Sequence, residues 1–446
     1  MSEFITAVIA VAAVLGFMIL IHEWGHYAAA KLLGVRVEVF SIGFGKRLFG
    51  LHRGETDYRV SAIPLGGYVK MSGENPLDER TDDPAEFLNH PRWHRFIIAI
   101  AGPAMNILLA IGLLTGVYMV HYEYLAVLDE PTVIGWVSED TPAAKAGILP
   151  GDHIIRIDGI SNPTWEQVAA REALSPNQPV EVTLQRGAQT LEKTVTPEPF
   201  GVNKMGSAGW APKEPNFEIT DLEPDMPAEK AGMKVGDLIQ TVDGQNLPGL
   251  EAMIEFLKRT KDKPLEIAVT RNGQPMTFKV QPVLSDIKGD TRYRIGVGSL
   301  PTKTASLSFR AALRRSLQDN REGSLLILEL VRKMIERKIS IRSVEGPIGI
   351  GRAAGRAAEQ KGWSPLLQLT AAISLNLGIF NLLPIPILDG GVILLLFVES
   401  VIRRDISLQI KERIYQAAFV FLVLFAVMVI YNDLVKTLPG LSGRLP

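Results

Sequence analysis

The sequence predicts a polytopic α-helical membrane protein. It has four transmembrane helices, a membrane-associated β-hairpin, and two small α/β domains inserted in tandem between the second and third spans. Three observations predict this. The 446 residues are 47% hydrophobic yet 21% charged, which suits apolar segments alternating with soluble ones. Four apolar runs are long enough to span a bilayer or nearly so. In the charged middle of the chain, "PAAKAGILPGDHIIRIDG" (142–159) returns 85 residues later as "PAEKAGMKVGDLIQTVDG" (227–244), with ten of eighteen positions identical.

The first run is apolar from Phe4 to Ile21. No basic segment precedes it and no small-residue cleavage site ends it, so it reads as a spanning helix and not as a removable signal peptide. "RFIIAIAGPAMNILLAIGLLTGVYMV" (95–120) is the second span. The third run, 364–402, is too long for one span. Pro384, Pro386 and the Gly390–Gly391 pair should break it after about Leu383, with helix resuming and ending before Arg403. Such a break at membrane depth is tolerated where it lines a cavity or is buried in protein. "YQAAFVFLVLFAVMVIY" (415–431) is the fourth span.

Basic residues orient the spans. Lys31, Arg36, Lys46, Arg47 and Arg53 follow the first, and Arg403, Arg404, Lys411 and Arg413 follow the third. Both loops are expected in the cytoplasm, which puts both termini and segment 121–363 on the other side. The organisation expected is therefore an N-terminal membrane part (1–120), two repeat domains (121–200 and 201–300), an amphipathic linker (301–363) and a C-terminal membrane part (364–446). Within the linker, 306–340 has helical spacing of apolar residues with many basic ones, fitting a membrane-surface helix or a packing helix. The net charge of −1 argues against nucleic-acid partners, and the absence of cysteine excludes disulfides and thiolate metal sites.

Each repeat continues into a helical stretch ("WEQVAAREAL", "LEAMIEFLKR"). Alternating strands with Arg-Gly and Asn-Gly turns follow ("VEVTLQRGAQTLEKTVTP", "LEIAVTRNGQPMTFKVQP"). This pattern is similar to a PDZ domain in its circularly permuted bacterial form. "TDYRVSAIPLGGYVKM" (56–71) alternates and carries Gly66–Gly67, so it reads as a hairpin dipping toward the membrane. Its edge is suited to pairing with an extended substrate, with Gly67 and Tyr68 expected beside that substrate.

The chemistry sits in "ILIHEWGHYAAAK" at the end of the first span. His22 and His26, four apart, share one helix face, the spacing a zinc ion requires of two imidazoles. Glu23 is one position round, placed as a general base for a zinc-activated water. Ionisable groups within a span are costly and point to function. A catalytic zinc needs a third protein ligand, and Asp389 in "NLLPIPILDGG" is the candidate. "HPRWH" (90–94) repeats the histidine spacing without the glutamate. Together with His52, His121 and His153 it is expected to be solvated or interfacial.

"HEWGH", "NLLPIPILDGG" and the PDZ-like repeats between them resemble the site-2 protease family of intramembrane zinc metalloproteases. "GVRVEVFSIGFGKRLF", "PLGGYVKM", "AGPAMN" and "EGPIGI" add to the likeness, which extends over nearly the whole chain. The resemblance implies one Zn2+ per chain on His22, His26 and Asp389, with Glu23 as base. It implies that Asn376 and Asn381 help hold the substrate. It also implies a bacterial inner-membrane enzyme, with its active site toward the cytoplasm and its PDZ-like domains in the periplasm. Expected substrates are transmembrane segments of single-pass proteins, such as an anti-sigma factor or remnant signal peptides. Two roles stay open for the PDZ-like domains: binding exposed C-termini, or filtering substrates by size, which the resemblance favours. A non-catalytic scaffold binding peptides through those domains is the reading from another class. It sits poorly with the retained Glu23 and full ligand set. A transporter sits poorly with four spans.

Overall fold

The structure is a computed structural model that describes residues 3–74, 83–200, 204–214, 216–287, 290–299, 302–339, 346–359 and 362–437. The expected domain boundaries at 201 and 300 and the last residues of the C-terminal membrane part lie outside them. The chain divides into two compact units. One comprises 1–122, 305–329 and 345–434, and the other 123–304, 330–344 and 435–446.

The first unit is built on long helices. Glu3–Leu32 and Arg92–Val120 cross where small residues let backbones meet. A Cβ on Gly25 would stand 2.5 Å from the Ala101 carbonyl oxygen, so only glycine permits this approach. Ser364–Asn381 packs on Arg92–Val120 through Gly378, whose Cβ would lie 3.0 Å from the Pro103 oxygen. Ser374 Oγ donates to the Asn106 carbonyl at 2.9 Å across the same contact. The long third run is interrupted at Pro384 and Pro386, whereas Gly390–Gly391, also expected to break it, lie in the first turn of the resumed helix. Helix ends at Asn381 and restarts at Asp389, running to Ile402. Arg403 then turns left-handed (φ 55°) ahead of helix Leu408–Thr437. Among the described residues, Arg92–Val120 and 408–435 are long and apolar enough to cross a membrane. Phe419, Phe421, Val423, Leu424 and Val427 stand exposed on the latter, a continuous apolar face suited to lipid.

Strands Val37–Arg53 and Thr56–Met71 pair antiparallel about a turn at Gly54–Glu55. Residues 56–71 were expected to form the hairpin by themselves, but they make a single strand, its second, and Gly66–Gly67 lie inside it. The sheet also curls on itself, with Phe40 opposite both Val69 and Tyr58. Gly43 (φ 87°) and Gly45 (φ 85°) make the bend, and a Cβ on Gly43 would meet the Ile63 oxygen at 2.6 Å. Ile42, Phe44, Leu48, Phe49, Leu51 and Ile63 project exposed from this sheet.

The second unit contains the repeat as two similarly built cores. Repeat one runs from strand Ile134–Val137 through helix Trp165–Ala173 and hairpin Val180–Arg186/Gln189–Val195 to strand Trp210–Pro212, which pairs back with the first strand. Repeat two runs from Asp221–Leu222 through Leu250–Thr260 and Leu265–Arg271/Gln274–Val280 to Val297–Gly298, closed in the same way. Ile154, Ile157, Val182 and Leu184 centre one core, and Ile239, Val242, Ile267 and Val269 the other, each pair 85 residues from its counterpart. Buried Asp152 accepts from Arg186 Nε at 2.6 Å and Nη2 at 2.7 Å. Asp237 accepts from Arg271 at the same distances. Arg271, its forked partner, holds the Asp237 carboxyl below the usual range. A motif in the sequence thus maps onto one buried carboxylate–guanidinium pair per repeat.

Candidate metal centre and active site

Helix geometry puts His22 and His26 on one face, and both side chains are buried. Their Nε2 atoms lie 3.2 Å apart, with the rings nearly perpendicular. Asp389, the first residue of helix Asp389–Ile402, closes the cluster. Its Oδ2 is 3.2 Å from His22 Nε2 and its Oδ1 3.4 Å from His26 Nε2. One ligand atom from each of the three residues lies within 4.8 Å of the others. No other such group occurs among the described residues. Two imidazoles and a carboxylate converging on one point is a donor set that fits zinc with one position left open.

The Asp-Gly-Gly sequence explains how Asp389 arrives there. A Cβ on Gly390 would lie 2.3 Å from the Leu382 and Leu383 oxygens. One on Gly391 would lie 2.2 Å from the Ile385 oxygen. The proline-containing loop therefore folds directly onto the glycines and delivers the carboxylate into the protein.

A second layer of contacts orients the imidazoles. His26 Nδ1 donates to the Ile98 carbonyl at 2.7 Å, which fixes the tautomer and leaves Nε2 as the lone-pair donor. Behind that ring, a Cβ on Gly102 would come within 2.2 Å of His26 Nε2, so glycine is required for the ring to seat. His22 Nδ1 lies 3.1 Å from the amide nitrogen of fully buried Asn106, whose Oδ1 has no partner. With Nε2 of His22 facing Asp389, Nδ1 carries the proton. The Asn106 amide turned by 180° accepts it and satisfies the orphan oxygen at once.

Glu23 is held by the sheet. Val69 N–H donates to its Oε2 at 3.0 Å, and Gly67 lies beside it, where a Cβ would approach the Glu23 Cγ at 3.7 Å. Tyr68 is half-buried, stacked on Phe44 and hydrogen-bonded to Arg59. Asn381 Nδ2 is 3.5 Å from His22 Nε2. Asn376, five residues earlier and about 140° round the helix, is exposed. The cluster therefore gathers His22, His26, Asp389, Glu23, Gly67 and Asn381, but not Asn376. Sequence reasoning missed Asn106, Gly102, the Ile98 carbonyl and the Val69 amide. "AGPAMN" was the one signal present, since an asparagine and a glycine four apart in an apolar span need partners. His90 and His94 contact each other and His94 packs edge-on against Trp93, with no carboxylate in the group.

The sequence profile of Peptidase family M50 matches residues 10–425. A Vibrio cholerae protein carrying a zinc-metalloprotease name is 31% identical over 98% of this chain and all of its own. The regulator of sigma-E protease RseP of Escherichia coli K12 is 30% identical over 94% of this chain and 96% of its own. The Salmonella typhimurium protein of that name is 32% identical over the same shares. A solved PDZ domain of an SdrC-like protein from Listeria monocytogenes aligns with 20% of this chain and 90% of its own at 19% identity. Its TM-score is 0.18. With a two-histidine, one-carboxylate cluster at its centre and a family match over nearly its whole length, the chain belongs to the M50 peptidases, the site-2 protease family, and is a zinc metalloprotease.

Proposed function

We propose that the chain is an intramembrane endopeptidase that cuts transmembrane segments of single-pass proteins. His22, His26 and Asp389 would hold one Zn2+. Bound there, zinc would supply Lewis acidity, polarising a peptide carbonyl and bringing the pKa of water down to about 7. Glu23 is the general base. Held by the Val69 amide, its carboxylate takes the proton of the attacking water as oxygen bonds to the carbonyl carbon. It returns that proton to the amine nitrogen when the C–N bond breaks. The sheet edge at Gly67 and Tyr68 lies beside this base, which supports strand-like pairing with an unwound substrate. Asn381 stabilises the freed backbone, and Asn376 acts farther along the substrate.

The surroundings follow the same reading. Four spans, from residues 1–120 and 364–446, carry the site at the cytoplasmic side of a bacterial inner membrane. Both termini lie in the periplasm, as do the two repeats (121–200 and 201–300), read as PDZ-like domains. Residues 301–363 link them to the third span. The repeats exclude substrates with bulky extracytoplasmic parts. The sigma-E names of the relatives favour an anti-sigma factor as substrate, with remnant signal peptides as a second class. The observation that carries this proposal is a hydrolytic donor set on helices Glu3–Leu32 and Asp389–Ile402, both packed on the apolar, span-length helix Arg92–Val120. Glu23→Gln tests it: purified protein is expected to cut a transmembrane peptide and the variant to lose at least about a hundredfold in rate. Equal cleavage by both removes Glu23 as base.

A further inference from the structure

Strand Thr56–Met71 turns one edge toward strand Val37–Arg53 and the other toward the metal cluster. Backbone N–H groups alternate between the two edges of a strand. Ser72 N donates to the Arg36 carbonyl at 2.9 Å, on the side of strand Val37–Arg53. Val69 and Met71 therefore point their N–H groups the other way, and both meet carboxylates. Val69 N donates to Glu23 Oε2 at 3.0 Å, and Met71 N to Glu74 Oε2 at 3.3 Å. No strand pairs along this edge among the described residues.

Glu74 reaches that donor because the chain doubles back at the end of the strand. Gly73 is left-handed (φ 64°), and the Phe87 N–H fixes the turn by donating to the Ser72 carbonyl at 2.8 Å. A Cβ on Gly73 would stand 2.7 Å from the Glu86 Cβ, so the turn is packed from behind and Glu74 is directed onto the strand. Glu74 is exposed, and its bond to Met71 is long for an N–H···O contact. The same carboxylate lies within electrostatic reach of His26, Glu23 and Asp389. It is a weakly held, water-accessible group on the donor next in line to the one that holds the base. An unpaired strand edge is a template for any extended chain, and charged side chains set on it keep it closed.

We propose that Glu74 is a competitive cap on the substrate edge: its carboxylate occupies the Met71 N–H until a backbone carbonyl of an unwound substrate takes that donor. This rests on the strand-pairing reading of Gly67 and Tyr68 and adds what the incoming strand must displace. Glu23 keeps the Val69 N–H while it works as base, so the donor beyond it, Met71, is the one a longer pairing segment reaches. A substrate that pairs as far as Met71 releases Glu74 into water, and one that pairs less far leaves it in place. A helical segment, whose carbonyls are bonded within itself, offers Met71 nothing and does not displace the cap. The cap thus selects for segments already unwound beside the scissile bond.

The test uses the intact, zinc-loaded protein in detergent and a fluorogenic peptide made from one transmembrane segment. Glu74→Ala is expected to lower KM about three- to tenfold, the size of one hydrogen bond, with kcat within about twofold of wild type. Glu74→Gln, which keeps an acceptor but not the charge, should give an intermediate KM. The same peptide N-methylated at alternate residues outside the scissile bond cannot complete a strand ladder, and its KM should be at least about tenfold higher in every form. An unchanged or raised KM in Glu74→Ala, with N-methylation still felt, overturns the cap and leaves strand pairing standing. A fall in kcat at unchanged KM gives Glu74 a structural role and overturns the cap as well. If the alanine variant loses zinc, Glu74→Gln carries the comparison, and its KM must fall at least about twofold. Insensitivity to N-methylation in every form would instead refute strand pairing itself.

Discussion

Asn106 holds the metal cluster from behind. It is fully buried, touches His22 Nδ1, and is anchored through its own carbonyl by Ser374. A side chain that fixes a ligand's tautomer acts on affinity without touching the metal. Asn106→Leu is therefore expected to weaken zinc binding about 10- to 100-fold in chelator competition, while Asn106→Asp, which keeps an acceptor there, retains most of it. Equal affinity in all three would remove the role. Glu172, in helix Trp165–Ala173 of repeat one, accepts from the Ala208 amide and the Trp210 indole N–H and gives a prediction in pH. Its carboxyl rises from the ordinary 4.5 to about 7 on folding, so the folded state binds the proton more readily. Repeat one gains stability as pH falls from about 7 to 4.5, and loses it as pH rises through that window, by up to about 3 kcal/mol. Limited proteolysis of the intact protein below and above this window should show wild type more resistant in acid relative to Glu172→Gln. The same pH response in both forms would contradict this.

At the scale of the element, glycine decides where chains meet. Gly102 lies against the His26 ring, and Gly390 against the Leu382 and Leu383 carbonyls. A methyl group at 102 must displace the imidazole or the helix, at a cost of about 1–3 kcal/mol. Gly102→Ala is expected to lose zinc while the protein still inserts and folds; unchanged zinc content would show that the ring has room. The two histidines and Glu23 were legible because three residue types at one-turn spacing carry their own geometry. Asp389 was legible because a carboxylate in an apolar run has few other uses. The second layer was not, because Asn106 is joined to His22 by helix packing over 84 positions and no local pattern encodes it. The hairpin was read within 56–71 alone, without the strand Val37–Arg53, for a related reason. Glycine serves tight turns and close approaches alike, and Gly66–Gly67 serves the latter, packed on Phe44 and on the Ser41 carbonyl oxygen. The repeats were legible because identical residues recur at a fixed offset.

For the whole molecule, the proposed topology is testable without background, since the chain has no cysteine. In sealed inner-membrane preparations, Arg404→Cys is expected to react only from the cytoplasmic side and Lys193→Cys only from the other. Labelling of both from one side would contradict the crossing count. If the repeats act as a filter, deleting 123–304 should let the enzyme cut a substrate that retains a bulky extracytoplasmic domain at least about tenfold faster than the intact chain does. All of this depends on a metal ion shared between the first long helix and the interrupted third run. The most direct measurement is zinc content and affinity of the purified intact protein and of Asp389→Ala. The account predicts one zinc per chain in wild type and a loss of at least about a hundredfold in affinity in the variant. Zinc bound by Asp389→Ala as tightly as by wild type would contradict it.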